Sequence, residues 1–414
     1  IMRSLGATFS RGGWRRYAVA VAVLVAIAVV LNAYFDDVSS IVPWRPRLPT
    51  LQTFPVAPLS KACDEVPPPT PDAADAAAPI PNLVHYIWLL ADPSVLSFNF
   101  KVFVSVYSAH LFLRPDRIYF HTDAAPDLWE RSKTSGDLWT KRVLNIPGVT
   151  PNFIENPRKT SAGVDIDTFG AKSDFIRADA LRQHGGIYLD VDAVPLRDVT
   201  PLRTAGFANV VGGAVALRTR YTGFVNTGVW LSRPHSSLSE IFFRAMDAFY
   251  NGVWAISVDI LTDLAYRLHA IPGEVLIVHP RAFAPTSWEL EDQDRLFRPH
   301  PSAALALTGN SNGDGMAGTQ PQEELGNTCA DALAWLARRE QERGSRRDTE
   351  GWEMDFSSTY VLHAFDDYAD KVRGWDGKIT LKYVLARESN YARAVYPAVR
   401  HAIEAGIISE EETL

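Results

Sequence analysis

The segment 168–194 constrains the fold more than any other part of this chain. Residues 168–184 have the spacing of an amphipathic helix, and residues 186–194 show the alternation that is typical of a strand. Between them, Gly185 and Gly186 permit the positive φ values with which a chain leaves a helix and turns directly into a sheet. A helix followed at once by a strand predicts a domain of the α/β class.

The same alternation of short apolar runs and longer amphipathic runs continues on both sides of this segment. Strands are predicted at 83–90, 117–122, 209–217, 227–232 and 275–279, and helices at 95–113, 238–250 and 259–269. Because strands and helices alternate, we predict a mainly parallel sheet that is covered by helices. A hydrophobic content of 47% is sufficient for one large core.

The residues before this domain predict a membrane anchor and a stem. The uncharged stretch 17–35 has nearly the ~20 residues that a helix needs to cross a bilayer. Four arginines in the tail 1–16 place the N-terminus in the cytosol and the domain 80–414 on the lumenal side, which is the single-pass type II arrangement. Residues 36–79, rich in proline and alanine, predict an extended stem. A signal peptide cleaved near Ala33 is the alternative.

Charge and cysteine content exclude several classes of protein. A net charge of -7 and a pI near 5.8 argue against binding to nucleic acid. Cys63 and Cys329 lack the paired spacing of zinc or redox sites, and they are either a disulfide or two unrelated thiols. The GxGxxG match at 313–318 lies in a polar insertion, 308–323, without the flanking strand and helix of a dinucleotide site, so a flexible loop is predicted there.

Two aspartates at the end of the predicted strand, Asp190 and Asp192, are the strongest candidates for chemistry. The period of two places them on one face near the carboxyl end of the strand, where α/β sheets bind ligands. Two adjacent carboxylates repel each other unless a cation neutralises them, and a divalent cation held by carboxylates and substrate phosphates is a common nucleotide site. Two solvated acids at a strand end are the structural alternative.

The preceding helix adds polar groups to the same region. Ser173, Asp174 and Arg177 share one helix face at spacings of three and four residues, while Phe175 and Ile176 can turn toward the core. A surface ion pair within the helix is the alternative explanation for Asp174 and Arg177.

The combined pattern resembles a known family. Lys172-Ser173-Asp174, Arg177 three residues later, and then Gly185 to Asp192 are similar to the DXD-containing glycosyltransferase family 32. This family includes the fungal initiating α-1,6-mannosyltransferases, the inositolphosphoceramide mannosyltransferases, and the animal α-1,4-galactosyl- and α-N-acetylglucosaminyltransferases. The segments 80–88, 119–123 and 226–235 resemble further strands of the family.

The resemblance implies a GT-A type nucleotide-sugar-binding fold, with a Rossmann-like mixed sheet, and a metal at the DXD motif. Asp192 would bind Mn²⁺ or Mg²⁺ directly, and Asp190 would bind the metal or the ribose. Asp174 and Arg177 would contact hydroxyls of the transferred sugar. A C-terminal histidine completes the metal shell in related folds, and His363 is the candidate, although Gly374 stands where the family usually has Ser; a packed histidine is the alternative.

The resemblance further implies a donor pocket and a reaction. The donor-binding candidates are His85, Trp88, Ser173, Asp174, Arg177, Tyr188 and Asn226. The expected reaction is the retaining transfer of a hexose from GDP-mannose or a UDP-sugar to a glycan or glycolipid acceptor, in the Golgi membrane.

No protein nucleophile is identified for this reaction. Glu240, Asp259 and Asp263 lie in helical patterns that favour solvated faces, so attack by the acceptor on the face of the leaving diphosphate is preferred. A metal-dependent phosphodiesterase and an inactive glycan-binding protein of the same fold remain as alternatives.

Overall fold

The computed structural model of the protein describes residues 78–216, 221–253, 255–301, 352–366 and 371–412. The predicted tail 1–16, the anchor 17–35, almost all of the stem 36–79, the insertion 308–323 and both cysteines lie outside these ranges. Within them, no helix combines the length and the apolar character that crossing a membrane requires.

A sheet of seven strands forms the centre of the domain. In chain order these are β1 (Leu83–Trp88), β2 (Arg117–Thr122), β3 (Val149–Phe153), β4 (Gly186–Leu189), β6 (Asn209–Ala216), β7 (Tyr221–Ser232) and β8 (Val275–Val278), and their spatial order is β3-β2-β1-β4-β7-β6-β8. Strand β7 is antiparallel to both of its neighbours, and all other pairs are parallel. The mainly parallel mixed sheet that the sequence predicts is therefore confirmed.

Helices cover the sheet. They are α1 (Phe100–Ser108), which continues into a π-helical turn (Ala109–Leu113), α2 (Pro126–Ser135), α3 (Leu138–Leu144), α4 (Phe169–His184), α5 (Thr200–Arg203), α6 (Ser237–Phe249), α7 (Ile256–Leu268), α8 (Pro280–Phe283), α9 (Leu290–Phe297), α10 (Leu381–Ala386) and α11 (Asn390–Glu404). Several begin at a residue whose side chain accepts a hydrogen bond from a free backbone N–H, such as Asn99, Thr168 and Ser389.

Both faces of the central strands are buried, because successive side chains point into different cores. Val84 and Tyr86 of β1 belong to the larger core, which lies toward α1 and α11. Ile87 belongs to the second core, which lies toward α4, α6 and α7. Strands covered on both faces explain the nearly continuous apolar runs of the sequence.

Gly185 and Gly186 connect α4 to β4 as predicted. Their φ values are 61° and 107°, in the region that favours glycine. A Cβ at Gly186 would lie 2.5 Å from the carbonyl oxygen of Leu83, so the close approach of β1 also requires glycine here.

The predicted strand 186–194 is wrong in one respect, because it consists of two strands separated by a turn. Strand β4 ends at Leu189, where its pairing with β7 ends, and Asp190 to Asp192 form a turn closed by a hydrogen bond from the N–H of Ala193 to the oxygen of Asp190, at 2.9 Å. The chain then enters β5 (Ala193–Pro195), which pairs with β9 (Val361–His363) in a separate sheet. A turn, and not strand alternation, therefore directs the two carboxylates.

Candidate active site

Three side chains that can bind a metal meet at the end of β4. Asp190 follows β4, Asp192 lies in the turn, and His363 ends β9, where it pairs with Ala193. The Nε2 atom of His363 lies 3.3 Å from Oδ1 of Asp192 and 3.7 Å from Oδ2 of Asp190. One ligand atom from each of the three lies within 4.8 Å of the others, so two carboxylates and one imidazole fit a single divalent cation.

Asn226, on β7, fixes the orientation of the His363 ring. Its Oδ1 atom accepts a hydrogen bond from the backbone N–H of Gly228, at 2.7 Å, and lies 3.0 Å from Nδ1 of His363. Because a backbone N–H can only donate, the atom that faces it is the amide oxygen, and Nδ1 of His363 must donate to the same oxygen. Nε2 of the neutral ring then directs a lone pair toward the two carboxylates, as a metal ligand requires.

The two acids and the histidine are coupled electrostatically. Burial lowers the pKa of His363, but the charges of Asp192 and Asp190 outweigh this effect, so its pKa is raised overall. Burial raises the pKa of Asp192, but His363 outweighs it, so its pKa is held well below the ordinary value. The pair of carboxylates therefore attracts positive charge strongly.

The two oxygens of Asp190 have different surroundings. Oδ1 accepts a hydrogen bond from the hydroxyl of Tyr188, at 2.5 Å, and lies 3.3 Å from Nη2 of Arg177. Oδ2 faces His363. Burial raises the pKa of Tyr188 well above its ordinary value, so this phenol remains a donor. One oxygen is thus held by the protein and the other faces the candidate metal position.

Asp174 and Arg177 form a buried ion pair next to this group. Nη2 of Arg177 lies 3.3 Å from Oδ1 of Asp174, and the two side chains are 5% and 1% exposed. Within the described residues, the two carboxylate oxygens of Asp174 make no hydrogen bond of good geometry, and the same is true of Nη1 of Arg177. Burial raises the pKa of Asp174 to about 6, against the opposing effects of Arg177 and Ser257. A bound ligand can complete the hydrogen bonds of buried polar atoms such as these.

Gly228, on β7 beside the acids, is a site residue that the sequence did not reveal. A Cβ at this position would lie 2.3 Å from Cε1 of His363 and 2.6 Å from Oδ2 of Asp190. The absence of a side chain therefore lets the histidine and the aspartate approach each other. The only signal in the sequence is a glycine inside a strand pattern, which indicates a close approach of some kind.

The remaining donor-binding candidates lie in different surroundings. The His85 ring is fully buried, with Nε2 2.8 Å from the oxygen of Gly185 and Nδ1 3.0 Å from Nε2 of His121. Burial lowers its pKa to about 4, so the ring is neutral and both nitrogens have partners within the fold. Trp88, at the carboxyl end of β1, and Ser173 are half-buried, and the Trp88 ring packs 4.8 Å from that of Phe98.

The acids considered as nucleophiles lie on helix surfaces. Glu240 forms an ion pair with Arg182 and lies 3.1 Å from Nδ1 of His235, and Asp263 forms an ion pair with Arg267 at 2.7 Å. Asp259 is exposed in the first turn of α7.

Residues 118–208, which include α4 and the acidic turn, match the family described as glycosyltransferase sugar-binding region containing DXD motif. A curated relative, glucan organizing enzyme 1 of Cryptococcus neoformans var. grubii, is 24% identical over 229 residues, which are 53% of this chain. The match covers 57% of that relative, so the chain spans little more than half of its length.

Solved glycosyltransferases resemble the chain at low identity. PaToxG glycosyltransferase is 16% identical, with 52% of this chain and 74% of that chain covered and a TM-score of 0.32. GlyE of Streptococcus pneumoniae TIGR4 is 10% identical, with 81% and 66% covered and a TM-score of 0.36. The galactosyltransferase LgtC, in complex with donor and acceptor sugar analogs, is 14% identical, with 65% and 98% covered and a TM-score of 0.28.

Proposed function

We propose that this chain, a DXD-containing glycosyltransferase, transfers a hexose from GDP-mannose or a UDP-sugar to a glycan or glycolipid acceptor, with retention of anomeric configuration. The observation that supports this most is the adjacency of two unlike groups. Asp190, Asp192 and His363 suit a cation that binds a diphosphate. Arg177, which contacts Asp190, joins them to the buried Asp174, whose carboxylate oxygens make no hydrogen bond of good geometry. A nucleotide sugar has the two kinds of atom that these groups need, phosphate oxygens and hydroxyls.

The acids and the histidine would hold Mn²⁺ or Mg²⁺, which supplies positive charge to the departing diphosphate. Tyr188 and Arg177 hold one oxygen of Asp190 and so direct the other toward His363. Asn226 orients the histidine ring in the same way. These residues keep the ligand atoms in place before the donor arrives, which reduces the reorganisation that binding requires.

Asp174 and Arg177 would orient the sugar. Nη1 of Arg177 can donate to one hydroxyl, and the oxygens of Asp174 can accept from others, since these atoms make no hydrogen bond of good geometry in the described part of the chain. Two fixed contacts of this kind hold the anomeric carbon in a single position relative to the acceptor. Of the remaining candidates, we assign Trp88 to the nucleobase, because it lies at the carboxyl end of β1, where nucleotides bind in α/β sheets.

We favour attack by the acceptor hydroxyl on the face from which the diphosphate leaves. The bond from the acceptor oxygen to the anomeric carbon forms as the bond to the phosphate oxygen breaks, and the hydroxyl proton passes to that phosphate oxygen. This step needs no protein nucleophile, and Glu240 and Asp263 are engaged in surface ion pairs. We further propose that residues 17–35 anchor the protein in the Golgi membrane, with the domain in the lumen.

A donor screen tests this proposal. The full chain is titrated with GDP-mannose, UDP-galactose and UDP-N-acetylglucosamine, with Mn²⁺ and with EDTA, and thermal stabilisation and slow donor hydrolysis are measured. We expect one donor to bind in a Mn²⁺-dependent manner. Asp192→Asn should abolish that dependence, while Asp127→Asn, which removes an exposed carboxylate on α2, should not. Unchanged Mn²⁺-dependent binding in the Asp192 variant would refute the assignment of the metal site.

The sugar contact is tested separately. Asp174→Ala should lose sugar transfer while it keeps most of the affinity for the free nucleoside diphosphate, because Asp174 does not belong to the metal-binding group. Equal loss of both properties would contradict the role assigned to Asp174.

A further inference from the structure

Lys101 forms an ion pair with Asp366, which lies close to His363 in the sequence. Its Nζ atom lies 3.0 Å from Oδ1 and 2.7 Å from Oδ2 of Asp366, and the two side chains are 21% and 18% exposed. Lys101 is in the first turn of α1, and Asp366 comes three residues after His363. The pair therefore joins the segment that follows β1 to the segment that carries the histidine ligand.

The face of α1 that carries Lys101 is turned toward the acidic turn. Ser105, one helical turn after Lys101 and on the same face, donates a hydrogen bond of 2.7 Å to the backbone oxygen of Ala193, which directly follows Asp192. On the other side, the N–H of Ala364 donates to the backbone oxygen of Asp192, at 3.1 Å. Lys101 and Asp366 thus lie on the two segments that hold the acidic turn, and the charge of Lys101 acts on Asp192.

Two cationic side chains act on the acidic turn, Arg177 and Lys101, and they have different partners. Arg177 contacts both Asp174 and Asp190, and it is buried. Lys101 is paired with Asp366, which does not belong to the metal-binding group, and it is partly exposed. Lysine carries its charge on a flexible stem and binds phosphate as a compact point charge, so this ammonium can change partners without disturbing the ligands.

We propose that Lys101 binds the diphosphate of the donor, and that Asp366 is the partner it leaves when the nucleotide enters. This inference rests on the proposed function of the site. Asp366 holds the ammonium beside the acidic turn in the free protein and competes with the diphosphate for it. Lys101 adds affinity for the diphosphate, and Asp366 reduces it.

The competition predicts opposite effects on nucleotide affinity for substitutions of Lys101 and of Asp366. Lys101→Met should weaken the binding of UDP or GDP, in the presence of Mn²⁺, on the order of 10- to 100-fold, the range that a hydrogen bond to a charged group contributes. Asp366→Asn should strengthen it several-fold, and the double variant should bind like Lys101→Met alone. Lys101→Arg should retain most of the affinity, while Lys133→Met, which removes a surface ion pair with Glu130, should change nothing.

A measurement of Mn²⁺ binding distinguishes the proposed role of Lys101 from a purely structural role. In the absence of nucleotide, Lys101→Met should bind Mn²⁺ at least as tightly as the unmodified protein, because a positive charge near Asp192 has been removed. A residue that only supports the fold would weaken Mn²⁺ and nucleotide together, and that result would overturn the inference. Equal weakening of nucleotide binding in Asp366→Asn and Lys101→Met would overturn it as well.

Inorganic pyrophosphate distinguishes this inference from the proposed function. If the unmodified protein binds Mn²⁺ and pyrophosphate in a Lys101-dependent manner but binds neither UDP nor GDP, the nucleotide-sugar function fails and the diphosphate contact stands. If a nucleotide binds equally well to the unmodified protein and to Lys101→Met, the contact fails and the function stands. If neither nucleotide nor pyrophosphate binds, both are refuted.

Discussion

Replacing Gly228 by alanine should abolish metal binding while the fold survives. The added Cβ would lie 2.3 Å from Cε1 of His363 and 2.6 Å from Oδ2 of Asp190, well inside ordinary contact distance. Gly228 lies in β7 without a positive φ, so alanine is compatible with the backbone conformation there. The damage is therefore concentrated on the two ligand side chains.

The size of the expected loss of Mn²⁺ affinity follows from how far the ligand side chains must move. To reach an ordinary contact with the new Cβ, the His363 ring must retreat by about 1 Å, whereas metal–ligand distances tolerate only about 0.2 Å. The ring is also held by Asn226 and stacked on Phe365, with ring centroids 3.8 Å apart, so it has little freedom to adjust. Misplacement on this scale costs on the order of 100-fold in rate, and we expect a loss of Mn²⁺ affinity of at least that size.

Titration calorimetry with Mn²⁺ and thermal melting in EDTA measure the two effects independently. Gly136→Ala is the matched control, because its Cβ would lie 2.6 Å from the carbonyl oxygen of Ser132, in the connection between α2 and α3, which contributes none of the three ligand residues. This control should lower stability and leave Mn²⁺ affinity intact. A Gly228→Ala protein that binds Mn²⁺ within about threefold of the unmodified protein would refute the geometry described for His363 and Asp190.

Three further predictions concern the residues that surround the ligands. Asn226→Ala should lower Mn²⁺ affinity about 10- to 100-fold in calorimetry, because the ring of His363 loses its orienting partner; an unchanged affinity would contradict this. Tyr188→Phe should lower it by about 1–3 kcal/mol, since Asp190 loses a charge-assisted hydrogen bond, and full affinity in this variant would show that Arg177 alone suffices. With a folded pKa near 6, above the unfolded value of 3.8, Asp174 contributes stability that is present below about pH 4 and is lost as the pH rises through about 6, amounting to about 3 kcal/mol. Denaturant unfolding in EDTA should therefore show a smaller decrease in the free energy of unfolding between pH 4 and 7 for Asp174→Asn than for the unmodified protein. Equal decreases would contradict the raised pKa of Asp174.

The parts of the site that could be predicted from sequence are those in which neighbours along the chain are also neighbours in space. Helix α4, the two glycines and β4 were predicted because helix periodicity, positive φ and strand alternation are local properties. Asp174 and Arg177 were predicted to share a helix face, and they form an ion pair at 3.3 Å. The family resemblance added His363, which local pattern alone leaves as one buried histidine among several.

The parts that could not be predicted depend on pairing between distant segments. The turn at Asp190 to Asp192 exists because β5 leaves the main sheet to pair with β9, more than 160 residues later in the sequence. No local pattern encodes that partner. The alternation of apolar and polar residues therefore predicted a single strand up to residue 194. The roles of Gly228, Asn226 and Lys101 likewise depend on contacts between segments that are distant in the sequence.

The buried charges of the site make physical sense only in relation to a ligand. An ionised carboxylate that is 1% exposed and an arginine that is 5% exposed lose much of their hydration on folding, and their contact at 3.3 Å leaves both oxygens of Asp174 without a hydrogen bond of good geometry. Such groups destabilise the free protein. Stability alone would favour apolar residues here, as in the adjoining core that contains Phe175 and Ile176. We infer that binding of the donor sugar restores the hydrogen bonds that folding removed. The free protein is less stable because it retains these two buried charges for sugar binding.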